Sequence, residues 1–255
     1  MPTLSPSSAR VLLVTGAASG IGAAVVRRLA APGTGLLLHT RSNEVGLSAV
    51  AQAARAAGAP VETALGDLAD PALPAALVDI AVGRFGGLGG LIHVAGFADP
   101  TPLAALSDAA LEHSLAAILG SFARLARAAA PHLRAAGDAR VIAVSSFVAH
   151  AFRPDLPVFA ASAAAKAGLE ALVRALAIEL APSVCVNAVV PGFIRKDEGA
   201  AAALDPARTA AQTGRIPLAR LGTPDEVAAA IAFLAGPGGS YITGQALRVD
   251  GGLVI

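Results

Sequence analysis

The stretch Val11 to Gly22 constrains this chain more than any other. An apolar strand, Val11-Leu12-Leu13-Val14, runs into Thr15-Gly16-Ala17-Ala18-Ser19-Gly20-Ile21-Gly22 and then into the helical pattern Ala23 to Ala30. A turn from strand to helix presents free backbone N–H groups and the positive end of the helix dipole, which together favour a phosphate. Gly16 lets the chain turn tightly, Gly20 removes the Cβ that would obstruct a pyrophosphate, and Gly22 allows the helix to lie close against the sheet. The spacing G-x-x-x-G-x-G differs from the commoner G-x-G-x-x-G form, but the order strand, glycines, helix is that of a nucleotide site.

Strands and helices keep alternating from there without a linker, which predicts an α/β fold in one domain covering residues 1–255. The predicted strands after the first are Gly35–Thr40, Val61–Leu65, Gly90–Val94, Arg140–Val144, Val184–Val190 and Gly244–Val249, nearly all continuous apolar runs suited to a sheet covered on both faces. Helical stretches are expected at Ala49–Ala57, Ala72–Phe85, Leu103–Arg134 (one or two helices), Leu156–Leu180 and Val227–Leu234. From Phe193 to Gly222 the periodicity fails, and a stretch of that kind in a compact domain reads as a substrate lid.

Composition excludes several function classes. A net charge of +1 gives no footing for nucleic acid or an anionic membrane surface. Met1 to Arg10 has no apolar core, so no targeting segment is expected, and the longest uncharged run, Val227 to Leu247, is interrupted by Gly236-Pro237-Gly238-Gly239 and reads as helix end, loop and strand rather than a membrane span. A cytoplasmic protein is expected. Cys185 is the only cysteine, so no internal disulfide is possible, and it reads as a small apolar filler. No metal-ligating cluster is expected.

The second strand ends where a dinucleotide fold discriminates its cofactor. An acid there would hold the 2′-hydroxyl of NAD, whereas an Arg accommodates the 2′-phosphate of NADP. No acid stands at that point, and Arg41 with Ser42, with His39 as a further candidate, favours NADP(H) over NAD(H); Glu44 lies close enough to compete for Arg41. Asp67, after the third strand, is placed to meet the adenine edge or to cap the helix that follows. Of the 19 basic residues only Lys166 and Lys196 are lysines, which suits positions needing a compact ammonium whose pKa can be moved.

With these residues laid out, the chain resembles the short-chain dehydrogenase/reductase family from about Arg10 to its end. The resemblance rests on Thr15 to Gly22, on Asn187-Ala188-Val189-Val190-Pro191-Gly192, on Leu221-Gly222-Thr223-Pro224-Asp225-Glu226-Val227-Ala228, and on Tyr241-Ile242-Thr243-Gly244-Gln245 with Val249-Asp250-Gly251-Gly252. It implies a Rossmann-like, doubly wound parallel sheet of about seven strands with helices on both faces, NAD(P) along its C-terminal edge, and a homodimer or homotetramer. The cofactor positions it implies are Gly16, Ser19, Gly20, Ile21, Gly22, Arg41, Ser42, Asp67, Leu68, Ala95, Gly96, Lys166, Pro191, Gly192 and Ile194.

The family's proton-transfer set is a Ser, a Tyr and a Lys four residues after the Tyr, usually with an Asn on an earlier helix. Here Ser146 matches the serine and Lys166 the lysine, but Ser162 falls at the tyrosine, Ala117 at the Asn, and Lys196 at the Thr after the Pro-Gly segment. A slipped register, with Phe159 at the tyrosine, does not restore it, because the sole tyrosine is Tyr241. An aliphatic hydroxyl is far less acidic than a phenol, whose pKa of about 10 a nearby ammonium can lower. Three replacements are conceivable: a water held by Ser162 and Lys166, His150, or Lys196. The expected activity is hydride transfer between NADP(H) and a small carbonyl or alcohol with a non-standard proton donor. The rival is an inactive NAD(P)-binding sensor or scaffold subunit, and a lyase reaction in the same pocket is a third reading that nothing in the sequence requires.

Overall fold

The structure, a computed structural model, describes residues 10–156, 158–195 and 206–255. Seven parallel strands form one sheet: β1 (Arg10–Thr15), β2 (Thr34–Thr40), β3 (Val61–Leu65), β4 (Gly90–His93), β5 (Ala139–Val144), β6 (Val184–Pro191) and β7 (Ala246–Val249), in the order β3-β2-β1-β4-β5-β6-β7. The helices are α1 (Gly20–Leu29), α2 (Glu44–Ala56), α3 (Leu73–Phe85), α4 (Asp108–Ser114), α5 (Ser121–Ala136), α6 (Ala160–Glu179), α7 (Pro206–Thr213) and α8 (Pro224–Ala235). All seven expected strands form, and the fold class is the expected one.

Each inner strand is buried on both faces, so alternate residues feed two cores. Leu13, Leu37, Leu91 and Val141 face α3, α5 and α6, where Leu77, Phe122, Leu125 and Leu169 meet them. Leu12, Leu36, Ile92 and Ile142 face α1, α2 and α8, where Val25, Leu47, Val227 and Ile231 meet them. The chain runs outward from β1 to β3, then returns to lay β4 on the other side of β1. The crevice at that reversal, above the C-terminal ends of β1 and β4, is where an open α/β sheet takes its ligand.

Several boundaries differ from expectation for local reasons. Helix α1 begins at Gly20 rather than Ala23, within the glycine turn itself. Helix α2 begins at Glu44 because the Asn43 side chain accepts from Gly46 N–H and caps it. The expected helix Leu156–Leu180 starts only at Ala160; Leu156 is instead buried in a small third core with Phe147, Val148, Ala163 and Ile216. The aperiodic segment Phe193–Gly222 contains α7, whose two turns are too short to show a period. Its two ends are tied by a parallel bridge between Ile194 and Gly222. Among the described residues no helix is long and apolar enough to cross a membrane, and no group of His, Cys, Asp and Glu is placed to hold a metal.

Candidate active site

The glycine loop turns tightly and meets β4 backbone to backbone. Gly16 has φ +66° and Gly20 φ +52°, both in the left-handed region that other residues avoid. A Cβ on Gly16 would lie 2.9 Å from Ala95 N, so the loop and the end of β4 touch backbone to backbone. A Cβ on Gly22 would fall 2.0 Å from Gly16 O, so this glycine lets the first turn of α1 close on the loop at the end of β1. Ser19 precedes α1 in extended conformation, exposed, with no capping bond from its side chain.

Arg41 and Ser42 are exposed at the end of β2, and Arg41 makes no ion pair with Glu44. His39 does not join them. It is buried, with Nε2 3.0 Å from Gly66 O, and burial lowers its pKa, so it is a neutral tie between β2 and the turn after β3. Asp67 is exposed and its carboxylate accepts from Ala69 N–H at 2.9 Å, an Asx turn; Leu68 is buried, leaving only its backbone for a ligand.

Three strand ends and α6 converge beside the loop. Lys166 is buried, with Nζ donating to Val144 O at 2.6 Å, two residues before Ser146. A Cβ on Gly96 would stand 3.0 Å from the same Nζ. Burial lowers the Lys166 pKa to about 8, an effect that the Glu170 carboxylate one turn further on opposes. Ser146 is half-buried, and its Oγ accepts from Val148 N–H at 3.4 Å at the head of a 3-10 turn, Phe147–Ala149. On the far side of Lys166, Gly192 packs against Asp250, where a Cβ would come within 2.8 Å of Asp250 Cα, and Ile194 follows at the bridge to Gly222.

Ser162 lies one turn before Lys166, but it is closed off. It is 1% exposed, its Oγ accepts from Asp99 N–H at 2.8 Å, and it lies 3.5 Å from Phe97 O. Its hydroxyl thus anchors the segment after β4. Tyr241 is fully exposed at the other end of the sheet: the neighbouring Ser240 O is 3.5 Å from Cys185 Sγ, at the start of β6. Lys196 lies outside the described residues.

Two buried networks here were not visible in the sequence. In the first, Ala95 N–H donates to Thr15 Oγ1 at 3.2 Å, and Thr15 Oγ1 lies 3.0 Å from His93 Nδ1. Ser121 Oγ donates to Ala117 O at 2.7 Å and so accepts from His93 Nε2–H at 3.3 Å, which leaves Nδ1 to accept from the Thr15 hydroxyl. Burial, with the Lys166 charge beyond it, lowers the His93 pKa to about 3. This chain ties the glycine loop, β4 and the π-helical turn Leu115–Gly120 together. In the second, the buried Glu170 accepts at Oε1 from Ser145 Oγ and from His150 Nε2, the latter at 2.9 Å.

The arrangement has known counterparts. A family profile described as enoyl-(acyl carrier protein) reductase matches residues 16–254. The chain is 39% identical over 245 residues to cis-4-hydroxycyclohexanecarboxylate dehydrogenase of Sinomonas cyclohexanicum, covering 95% of this chain and 96% of that one. It belongs to the short-chain dehydrogenase/reductase family. An uncharacterised oxidoreductase of Mycobacterium tuberculosis is 38% identical over 96% of this chain and 92% of that one. Among solved structures, a short-chain dehydrogenase from Burkholderia cenocepacia in complex with NADP superposes with a TM-score of 0.87 at 33% identity, over 96% and 98% of the two chains. The fold of this short-chain dehydrogenase/reductase thus brings Ser146, Ser162, Lys166, Gly96 and the glycine loop to one edge of the sheet. The signal for the Ser145, His150 and Glu170 cluster was a single acid on the buried face of α6, one turn beyond Lys166.

Proposed function

We propose that this protein is an NADP(H)-dependent oxidoreductase that moves a hydride between the cofactor and a small, largely apolar carbonyl or alcohol, using a proton donor other than tyrosine. The observation that carries the reading is the geometry around the glycine loop. The glycine loop closes against β4 at a distance only glycine permits, the exposed Ser19 makes no side-chain cap on α1, and Lys166 stands against Gly96 with its Nζ on Val144 O, two residues before Ser146.

Those residues fit a dinucleotide: the loop and Ser19 for the pyrophosphate, Arg41 and Ser42 for a 2′-phosphate, Asp67 and Leu68 for the adenosine side, and Lys166 with Ala95, Gly96, Pro191, Gly192 and Ile194 for the nicotinamide side. Bound there, the nicotinamide supplies or accepts the hydride. Ser146 orients the substrate oxygen by hydrogen bonding, and Lys166 holds the ribose. Exposed Phe97, Leu103, Phe152, Val158 and Leu218 lie on the loops that follow β4, β5 and β6, and a cleft of about 460 Å³ is lined by Phe193, Ile194, Pro217 and Leu218 with the charged Arg220, Glu226, Arg248 and Asp250 at its other wall. That rim supports an apolar substrate, in keeping with the alicyclic substrate named for the Sinomonas relative. A homodimer or homotetramer is part of the same reading.

The closure of Ser162 favours a second reading, a protein that binds the nucleotide without turnover. Fluorescence titration with NADPH and NADH separates the cases. Preferential NADPH binding that weakens on Arg41→Ala supports the cofactor assignment; binding of NADH alone overturns the preference. No binding of either at millimolar concentration would end both readings and leave a scaffold.

A further inference from the structure

The tyrosine position is filled by a sealed serine, yet reduction of a carbonyl still needs a proton at the substrate oxygen. The chain has five histidines, the side chain best suited to exchanging protons near neutral pH. His39 and His93 are buried structural ties. His113 is exposed and stacks on Phe97 with ring centroids 5.5 Å apart, with no carboxylate partner among the described residues, and His132 lies on α5. His150 alone combines three features. It is one 3-10 turn beyond Ser146, its N–H bonding Phe147 O at 2.9 Å; its Nε2 is held at 2.9 Å by Glu170; and its side chain keeps 22% exposure.

The carboxylate fixes the ring's chemistry. A carboxylate only accepts, so Nε2 carries a proton in either charge state, and Nδ1 is the ring's remaining site of proton exchange. Among the described residues Nδ1 makes no hydrogen bond. Glu170 is itself locked: it is 4% exposed, sits on α6 one turn beyond Lys166, and takes a second bond at the same oxygen from Ser145, the residue before Ser146. The charged groups around the ring are thus Glu170 and Lys166 from α6, with Arg153 and Asp155 further along its own loop and Arg215 joined to Asp155.

We propose that His150, held by Glu170, gives and takes the proton at the substrate oxygen in this site, with Glu170 as its positioning residue. The inference rests on the oxidoreductase reading above. In the reducing direction the hydride reaches the carbonyl carbon and the C=O π pair moves to oxygen. That oxygen takes the proton from Nδ1 of the imidazolium, so one N–H bond breaks and one O–H bond forms. The neutral ring keeps its Nε2–H on Glu170 and regains a proton from water at its exposed edge. Oxidation of an alcohol runs the same transfers backwards.

The test has a readout that needs no turnover. Diethyl pyrocarbonate acylates accessible imidazole nitrogens, and mass spectrometry reports the rate at His150 with and without NADP+ plus cyclohexanone. With the complex at about ten times its dissociation constant, the rate at His150 is expected to fall about tenfold, following the open fraction. An unchanged rate while NADP+ binds by fluorescence overturns the proposal. Failure of NADP+ to bind overturns the oxidoreductase reading instead. With cyclohexanone as the carbonyl, His150→Gln is expected to lower kcat about 100-fold with NADPH affinity unchanged, the range for a positioned acid–base group. Retention of full kcat by that variant sinks the idea. Glu170→Gln keeps an acceptor for Nε2–H but not the charge, and should lower kcat with KM and melting temperature unmoved. A parallel fall in kcat, NADPH affinity and melting temperature would mean that Glu170 only holds the loop. If wild type does not turn over cyclohexanone, the acylation rates decide.

Discussion

Gly22 shows how much a single missing methyl group can decide. A Cβ there would overlap Gly16 O at 2.0 Å, with Ala17 Cα at 3.0 Å, and both neighbours are backbone that cannot swing away. Gly22→Ala should therefore open the loop, weakening NADPH binding at least tenfold by fluorescence titration and costing about 1–3 kcal/mol in urea unfolding, as overpacking does. Unaltered binding would show that the loop does not hold the phosphates. Residues of this kind were legible in the sequence as punctuation between a strand and a helix, and Lys166 was legible because lysine is rare here. The Glu170, Ser145 and His150 cluster was not. Its members come from α6, from β5's end and from the turn beyond it, and only the packing of α6 on the sheet brings them together. His39 misled for the same reason: its position after β2 suggested a ligand, while its burial and its bond to Gly66 O make it a brace.

At the scale of elements, the π-helical turn Leu115–Gly120 between α4 and α5 was invisible to a reading based on a 3.6-residue period. It is held by tertiary contacts: Arg124 reaches Ala116 O at 3.1 Å and Leu68 O at 3.3 Å, and Ser121 bonds Ala117 O. The segment after β4 is the other element that sequence could not place, since its anchor is the Ser162 hydroxyl on a distant helix. That anchor makes a prediction about a larger side chain at this position. Ser162→Tyr cannot fit a ring where 1% of the serine is exposed, so Phe97 to Asp99 must be displaced. The variant should unfold about 1–3 kcal/mol more easily and be cleaved faster by protease within residues 97–102. A variant as stable and as resistant as wild type would show that the segment yields freely and that the pocket accepts a tyrosine.

For the whole molecule, the sheet order was legible because apolar runs and right-handed crossovers leave few alternatives, and the crevice follows from that order. What the order could not reveal is that two basic side chains are buried near the crevice floor at pKa values well below their ordinary ones, His93 at about 3 and Lys166 at about 8. Both depressions have burial as the larger cause, and both have the same sign in stability. Between pH 3 and the ordinary histidine value of 6.5, the unfolded chain binds a proton at His93 that the folded chain refuses, so stability rises with pH through that window and is lost on acidification. Between pH 8 and 10.5 the same holds for Lys166, and below pH 8, where both states are protonated, a constant deficit remains. Each proton contributes a slope of at most about 1.4 kcal/mol per pH unit. Urea unfolding followed across pH should therefore show two rising limbs. His93→Gln should flatten the acid limb alone and Lys166→Met the alkaline limb alone, because the two windows do not overlap. An acid limb that persists unchanged in His93→Gln would mean that His93 takes up its proton in the folded state, and that the tie from Thr15 to the π-helical turn is looser than its geometry implies.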